Sequence, residues 1–223
     1  VHIAAVERHP RTFEDVEPAL VGNVPHVLVS ELSGRATITQ RVRELGYPVE
    51  EERELADRLL KRIKDKEYEG YHYEAADASF DLLLREELAP HEPLFRLESF
   101  RVIVEKREDG RAVVEATIKV HVGGERLIST AEGNGPVNAL DTALRQVIVA
   151  KYPHLADIEL VNYKVRILDE NHGTGAVTRV LLDASDGETT WGSIGVSENI
   201  IEASWEALVD SIEYGMLRSQ ERG

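Results

Sequence analysis

Some residues that would mark a particular class of protein are missing from this chain. It contains no cysteine, which excludes disulfide bonds, a thiol nucleophile and a cysteine-ligated zinc site. No apolar run approaches the roughly 20 residues that a membrane-spanning helix needs. No signal peptide opens the sequence. We therefore expect a cytoplasmic protein that has no membrane partner.

Positive charge is also scarce. The chain has 26 Lys and Arg against 41 Asp and Glu, a formal net charge of −15. Nucleic acids and anionic membranes bind basic surfaces, so neither is expected as the main partner. With 42% hydrophobic and 30% charged residues, the 223-residue chain is expected to fold, as one large or two small domains. It begins at Val1 rather than Met, which suggests that an upstream part is missing.

The order of turn signals and apolar patterns predicts three regions. Residues 1–35 form a loop-rich linker subdomain, in which the apolar run Val27–Val29 predicts a short strand. Residues 36–93 form a helical subdomain, which ends in the proline-containing segment Ala89–Pro93. Residues 94–223 form a third domain, whose pattern differs from the first two.

Two amphipathic helices are predicted in the second region. Apolar residues recur there at the three- and four-residue spacing of a helix face, and Gly70 separates the two patterns. The first pattern consists of Leu55, Leu59 and Ile63, and the second of Ala76, Phe80, Leu83 and Leu84.

The third region contains an internal repeat. Phe100, Val102 and Val104 alternate along one predicted strand, and a similar pattern begins at Tyr163, 63 residues later (163 − 100 = 63). The same offset relates Val114 to Val177, Ile118 to Leu181, Ile128 to Trp191 and Gly124 to Gly187. Each unit is predicted to contain three strands and a helix, with the helices at about residues 135–152 and 199–217.

This repeat predicts the fold class. We expect an α+β protein in which a small helical linker subdomain precedes a pseudo-two-fold pair of βββα units. A three-stranded sheet with one helix leaves apolar surface poorly covered, so two units are expected to cover each other. Two chains can do the same, which predicts a homodimer built through this region. The alternative is a monomer in which the two halves simply pack together.

A ligand site is predicted where the two helices of the repeat begin. The loop Gly133–Gly135 leads into a helix with Pro136 near its first position, and residues 195–199 occupy the equivalent place in the second unit. Free N–H groups at a helix start suit a small carboxylate. The candidate residues for binding an amino acid are Gly133, Asn134, Gly135, Val137, Asn138, Asn162, Glu198, Asn199 and Ile200. Asn134 is also a candidate helix cap, and capping without any ligand is the simpler reading.

Signatures of common enzyme chemistry are absent. The eight histidines form neither a His-x-His nor a His-Glu-x-x-His motif, and there is no Gly-x-Ser-x-Gly nucleophile elbow. Residues 133–135 lack the features of a phosphate-binding loop or a dinucleotide fingerprint. We therefore predict no metal site and no cofactor in this chain.

The sequence resembles the C-terminal part of the 2-isopropylmalate synthase and citramalate synthase family, and it is most similar to the long citramalate synthase type. The resemblance extends over nearly the whole chain. The stretches that carry it are Val21–Asn23, Val27–Arg35, Tyr71–Phe80, Gly133–Val137 and Ile200–Trp205.

The resemblance implies a regulatory role. Full-length members carry an N-terminal TIM barrel that uses a divalent metal to condense acetyl-CoA with a 2-keto acid. Their C-terminal domain is a dimer-forming pair of βββα units that binds a branched-chain amino acid, isoleucine or leucine, as feedback inhibitor. His2 matches a family histidine that assists catalysis, but Phe13 stands where a tyrosine is expected, which removes a phenolic hydrogen-bond donor.

Two other functions stay open at this point. One is a free-standing amino-acid sensor or dimerisation module with no enzyme attached. The other is a catalytic protein that uses His2 with Glu14 or Asp15, although no substrate pocket is implied for it. An upstream sequence that encodes a barrel would favour the regulatory segment over the free-standing module.

Overall fold

The computed structural model describes residues 38, 52–88, 93–168, 173 and 175–222. The chain divides into two compact units, residues 1–74 and 75–223. The helices are α1 (Glu52–Glu69), α2 (Asp77–Leu88), α3 (Pro136–Lys151) and α4 (Ile200–Arg222), with short 3-10 helices at Tyr73–Ala75 and Pro153–Asp157. The strands are β1 (Phe95–Lys106), β2 (Ala112–Val122), β3 (Glu125–Gly133), β4 (Glu159–Ile167), β5 (Thr178–Ser185) and β6 (Thr190–Ser197).

The described part of the first unit consists mainly of α1. Leu55, Leu59 and Ile63 are buried along one face of this helix, as the periodicity predicts. Gly70 follows the helix with a φ of 111°, a conformation in which a side chain would clash with the backbone. The ammonium group of Lys66 lies 4.4 Å from the centre of the Tyr71 ring, which fixes the chain as it leaves the helix.

The second unit contains two antiparallel sheets of three strands, in the orders β1-β2-β3 and β4-β5-β6. Helix α3 packs on β2 and β3, and α4 packs on β5 and β6. The central strands alternate between buried and partly exposed residues, from Val113 onward in β2 and throughout β5, because one face of each sheet lies against a helix. The α+β fold with two βββα units is therefore confirmed.

The two βββα units resemble each other in detail, and the structure corrects the alignment between them that the sequence predicts. Both first strands carry a register irregularity at matching places, between Leu97 and Ser99 and between Leu160 and Asn162, which preserves the offset of 63. From the second strand onward the offset is 64. Buried Ile118 corresponds to buried Leu182 rather than to Leu181, which points the other way.

The same one-residue correction applies to the other residue pairs that the sequence predicts beyond the first strand. Gly123 rather than Gly124 corresponds to Gly187 in the second hairpin, and the pairs Val114–Val177 and Ile128–Trp191 are likewise one residue out. The extra residue lies in the connection between β4 and β5. In the helices the new offset pairs Val147 with Ser211, and both residues are buried.

Helix α2 covers the outer edge of the second sheet. The backbone N–H of Gly192 donates to the Asp77 carboxylate at 2.8 Å, and that of Ile194 donates to the Ser79 hydroxyl at 2.9 Å. The next outward-facing N–H, of Val196, donates to Glu206 at 3.0 Å. An edge strand otherwise offers such groups to other chains, so these side chains close the edge of β6.

Several sequence predictions fall outside the described residues or are left untested. The predicted strand at Val27–Val29 and the rest of residues 1–35 lie outside the described part of the chain, and the three-domain division stays a prediction. Helices α3 and α4 lie close to their predicted ranges, although α4 continues to Arg222. Among the described helices, none contains a sufficiently long apolar stretch to span a lipid bilayer.

Candidate ligand-binding site

A cavity of about 850 Å³ lies where the two βββα units meet. Its walls come from the start of α3, the 3-10 helix before β4, the first half of β4 and the start of α4. The lining residues are Asn134, Gly135, Pro136, Val137, Asn138, Asp141, Arg145, Ala156, Ile158, Glu159, Leu160, Tyr163, Ile200 and Ile201. Most of this surface is apolar, with a few charged and polar groups, which is typical of a small-molecule site.

The start of α3 is open toward this cavity. Gly135 is the N-cap residue, in an extended conformation with a φ of −170°, and no side chain bonds to the cap. Pro136 takes the first helical position, as predicted. Asn134 is not the cap: its backbone N–H donates to the side-chain oxygen of Asn138 at 3.2 Å. The prediction of Asn134 as cap is therefore wrong, because Gly135 stands between it and the helix.

The start of α4 is closed by its own side chain. The side-chain oxygen of Asn199 accepts a hydrogen bond from the N–H of Ile201 at 2.9 Å. This is the ordinary capping arrangement, and it satisfies one of the N–H groups that a helix leaves free at its first turn. The two helix starts are thus unequal, and the one at Gly135 is more available to an anion.

One end of the cavity is charged. Asp141 and Arg145 face each other one helical turn apart on α3, and Arg145 Nε donates to Asp141 Oδ1 at 2.8 Å. A second nitrogen of the guanidinium, Nη1, donates to the backbone oxygen of Ile158. The carboxylate side chain is 14% exposed and the guanidinium side chain 22%. Burial raises the pKa of Asp141 above its usual range, and the favourable charge of Arg145 offsets this only in part.

A hydrogen bond within the second βββα unit lies beside the cavity. The hydroxyl of Tyr163, on β4, lies 2.8 Å from the hydroxyl of Ser204, on α4. Ser204 in turn donates to the backbone oxygen of Ile200 at 2.6 Å. This chain of bonds fixes the Tyr163 ring against the cavity and ties it to the first turn of α4.

The structure brings together five of the nine predicted ligand-binding residues. Asn134, Gly135, Val137, Asn138 and Ile200 line the cavity. The remaining four predicted residues, Gly133, Asn162, Glu198 and Asn199, are not among its lining residues.

These four residues have other surroundings. Asn162 points to the opposite face of β4, where its side-chain amide donates to Asp183 at 2.7 Å. Gly133 lies against α3, and a Cβ there would come within 2.5 Å of the Ala139 nitrogen. Glu198 and Asn199 occupy the exposed bend before α4. The predicted catalytic residue, His2, lies outside the described residues.

Several cavity residues are absent from the sequence prediction. Asp141 and Arg145 follow Asn138 at three and seven residues, so all three share one face of α3. This polar stripe beside the apolar face of the helix was the signal that could have revealed these two residues. The cavity also includes Ile158, Leu160 and Tyr163, because β4 of the second βββα unit borders the same cavity as α3 of the first. No local sequence pattern reveals that proximity.

Comparison with known proteins identifies the family. A family model described as the LeuA allosteric (dimerisation) domain matches residues 74–216, more than half of the chain. The chain belongs to the LeuA allosteric (dimerisation) domain family. A second model, the homocitrate synthase post-HMGL domain-like family, matches residues 1–70.

Curated relatives of this LeuA-type chain are named (R)-citramalate synthase. The chain is 50% identical to the Streptomyces coelicolor protein over 98% of its own length and 41% of the relative's. It is 47% identical to the Geobacter sulfurreducens protein and 41% identical to the Aquifex aeolicus protein, covering 42% of each. The chain therefore spans about two fifths of the length of these relatives, and it matches their C-terminal part.

Within the described residues, no group of three or more His, Asp or Glu side chains is placed to hold a metal ion.

Proposed function

We propose that this chain is the C-terminal accessory and regulatory region of a citramalate synthase-like acyltransferase. The parent enzyme would condense acetyl-CoA with a 2-keto acid in branched-chain amino acid biosynthesis, with a divalent metal held outside this chain. The cavity would bind isoleucine or leucine as feedback inhibitor. The observation that carries this proposal is the cavity itself, located between the two helix starts of a LeuA-type domain.

The chemistry of the cavity suits a branched aliphatic amino acid. Val137, Ile158, Leu160, Ile200 and Ile201 offer apolar surface to the ligand's side chain. The uncapped start of α3 offers backbone N–H groups and the positive end of the helix dipole to the carboxylate. Opposite chemistries at the two ends of one cavity would fix the orientation of the bound molecule.

The compact unit of residues 75–223 also offers a surface for dimerisation. On β4, Tyr163, Val165 and Ile167 are paired with residues on the helix-covered face of β5, yet all three are exposed. Val104 is in the same position at the end of β1, where it is 57% exposed. Helices α3 and α4 lie mainly on the other strands, so these edge strands keep an uncovered apolar strip. A second copy of the chain would cover it.

Regulation would follow from a difference in affinity. An inhibitor acts at a distance only if it binds one arrangement of the dimer more tightly than another, typically by about 1–3 kcal/mol. We propose that the arrangement favoured by the amino acid prevents the linker region, which includes His2, from assisting the parent's barrel.

Calorimetric titration of the chain with isoleucine, leucine and valine tests the binding step. Gly135→Leu is the decisive variant, because Gly135 lines the cavity, its φ is extended and its added Cβ would meet no atom within 4 Å. The leucine would fill the cavity without straining the backbone. Gly175→Leu is the matched control, since that glycine is exposed, is not among the cavity residues and has equally free space.

The expected result is binding by the wild type and by Gly175→Leu, and loss of binding by Gly135→Leu with the dimer intact in sedimentation. An unchanged affinity in Gly135→Leu would place the ligand elsewhere. No heat with any of the three amino acids would contradict the binding proposal.

A further inference from the structure

We propose that Asp141 is the group that accepts the α-ammonium of the bound amino acid, and that Arg145 is its positioning residue. This inference rests on the proposed function, because it takes the cavity to be an amino-acid site. It assigns the specificity for an amino acid, as opposed to a plain carboxylic acid, to one side chain.

The first support is the unfinished pairing of the Asp141 carboxylate. Within the described residues its hydrogen-bond partner is Arg145, which contacts Oδ1. The side chain is largely buried, and a buried carboxylate is costly unless it is paired and hydrogen-bonded. The raised pKa shows that Arg145 does not fully compensate for that burial. A second cation in the cavity would complete the pairing.

The second support is the way in which Arg145 is held. Its Nε is bonded to Asp141 and its Nη1 to the backbone oxygen of Ile158, so the guanidinium links α3 to the segment that leads into β4. Its Nη2 is buried and has no hydrogen-bond partner in the described segments. A guanidinium placed in this way is poorly exposed to a ligand, but it fixes the orientation of the carboxylate.

The third observation that supports this role of Asp141 is the residue at the equivalent position of the second βββα unit. With the offset of 64, Asp141 corresponds to Trp205 and Arg145 to Val209. Trp205 packs against Phe95 and Phe100, with ring centres 6.1 and 5.5 Å apart. These two residues correspond, at the offset of 63, to the cavity residues Ile158 and Tyr163. The matching position is thus occupied by a tryptophan that is 8% exposed, and the charged pair occurs only on the side that has the open cavity.

The ion pair of Asp141 and Arg145 lies in the same cavity as the start of α3. Asp141 lies six residues after the N-cap Gly135 on α3, and Asp141 and the first turn of the helix border the same cavity. A carboxylate at the helix start and an ammonium near Asp141 would match the two ends of an α-amino acid. The other carboxylate of the lining, Glu159, is exposed and belongs to the start of β4. It is the rival acceptor that the experiment must separate.

The test compares each amino acid with its deaminated analogue. L-isoleucine and 3-methylpentanoic acid, which lacks the ammonium, are titrated into the wild type and into the Asp141→Asn and Glu159→Gln variants. Asp157→Asn is the matched control, because Asp157 is exposed, is near the cavity in sequence and is not among its lining residues. It removes the same charge without touching the ligand.

We expect the wild type to prefer isoleucine, and Asp141→Asn to weaken isoleucine binding by about 10- to 100-fold, the range for a hydrogen bond between charged groups. The same variant should bind the deaminated acid as well as before, so that the preference disappears. Glu159→Gln and Asp157→Asn should keep the preference. If Asp141→Asn keeps it, or if Glu159→Gln loses it, the assignment of Asp141 is wrong.

A second measurement does not depend on a variant that must fold. The carbon-13 resonance of the Asp141 carboxyl group is titrated with and without saturating isoleucine. A bound ammonium should lower the pKa of Asp141, whereas an unchanged pKa would contradict the contact. Wild-type protein that binds no isoleucine or leucine would overturn the proposed function together with this inference, but a wild type that binds while Asp141 proves irrelevant would overturn the inference alone.

Discussion

The two βββα units share a topology, a strand irregularity and a helix position, yet they use equivalent places differently. On α3 the equivalent place carries Asp141, which borders an open cavity. On α4 it carries Trp205, which packs between Phe95 and Phe100 and belongs to the hydrophobic core. The two positions are equivalent in the repeat, but a small charged side chain at the first leaves a cavity and a large aromatic side chain at the second fills the core.

The two βββα units also differ at one pair of equivalent positions where the sheet faces its helix. Gly195 on β6 lies so near α4 that a Cβ would collide with the backbone oxygen of Ala203. The equivalent residue on β3 is Ala131, which has a side chain and is still buried against α3. The second sheet therefore depends on a glycine at a place where the first accepts a methyl group.

Truncation of the equivalent helix residues Trp205 and Asp141 should give the largest difference in stability between the two βββα units. Trp205→Ala removes a buried ring from the core and should lower the free energy of unfolding by about 3–5 kcal/mol. Asp141→Ala removes one partner of a largely buried ion pair, while Arg145 keeps its hydrogen bond to Ile158, and should cost about 1–2 kcal/mol. Urea unfolding of both variants measures this. Equal losses would mean that the two positions are not distinguished as core and site.

The close approach at Gly195 should give the next largest effect. Gly195→Ala forces a methyl group into the backbone of α4 and should destabilise the fold by about 1–3 kcal/mol. The reverse change in the first unit, Ala131→Gly, should cost less, about 0.5–1 kcal/mol, mainly through the entropy of the unfolded chain. Thermal unfolding of the two single variants provides the comparison. A greater loss of stability in Ala131→Gly would contradict the closer helix–sheet approach at Gly195.

The smallest effect is expected at the strand irregularities. Glu98 lies at the irregularity in β1, and exposed Val161 lies at the equivalent place in β4. The Arg126 guanidinium donates two hydrogen bonds to the Glu98 carboxylate, which lower the pKa of Glu98 to about 2. Because the folded-state pKa is lowered, the stability from Glu98 is present above about pH 4.5, its unfolded value, and is lost as the pH falls toward 2. The pair is exposed, so the change in stability should be small.

Carbon-13 titration of the Glu98 carboxyl group checks this point. Arg126→Gln should return its pKa toward the ordinary value, since the bond from Arg126 is the largest cause of the shift. Arg111→Gln removes an equal charge at another surface position and serves as the control. If Arg126→Gln leaves the pKa of Glu98 near 2, another group must hold the carboxylate ionised.

Much of this architecture follows from local patterns. Period-two alternation predicts the strands, and the spacing of Leu55, Leu59 and Ile63 predicts the buried face of α1, because side-chain direction is set by the backbone within a few residues. The offset between the units was predicted one residue short after the first strand. Pattern matching does not detect a single inserted residue in a connection, although in a strand it reverses the face on which each side chain lies.

The strands and helices of the two βββα units and the proline-led start of α3 could be predicted from the sequence, because each of these patterns spans a few neighbouring residues. The residues that surround the cavity depend on the tertiary structure. Arg145 lies 13 residues from Ile158 in sequence, and Trp205 lies more than 100 from Phe95 and Phe100, yet these contacts separate an open cavity from a filled one. Such contacts follow from how the two units pack, and packing depends on the shape and volume of the whole core rather than on any local period.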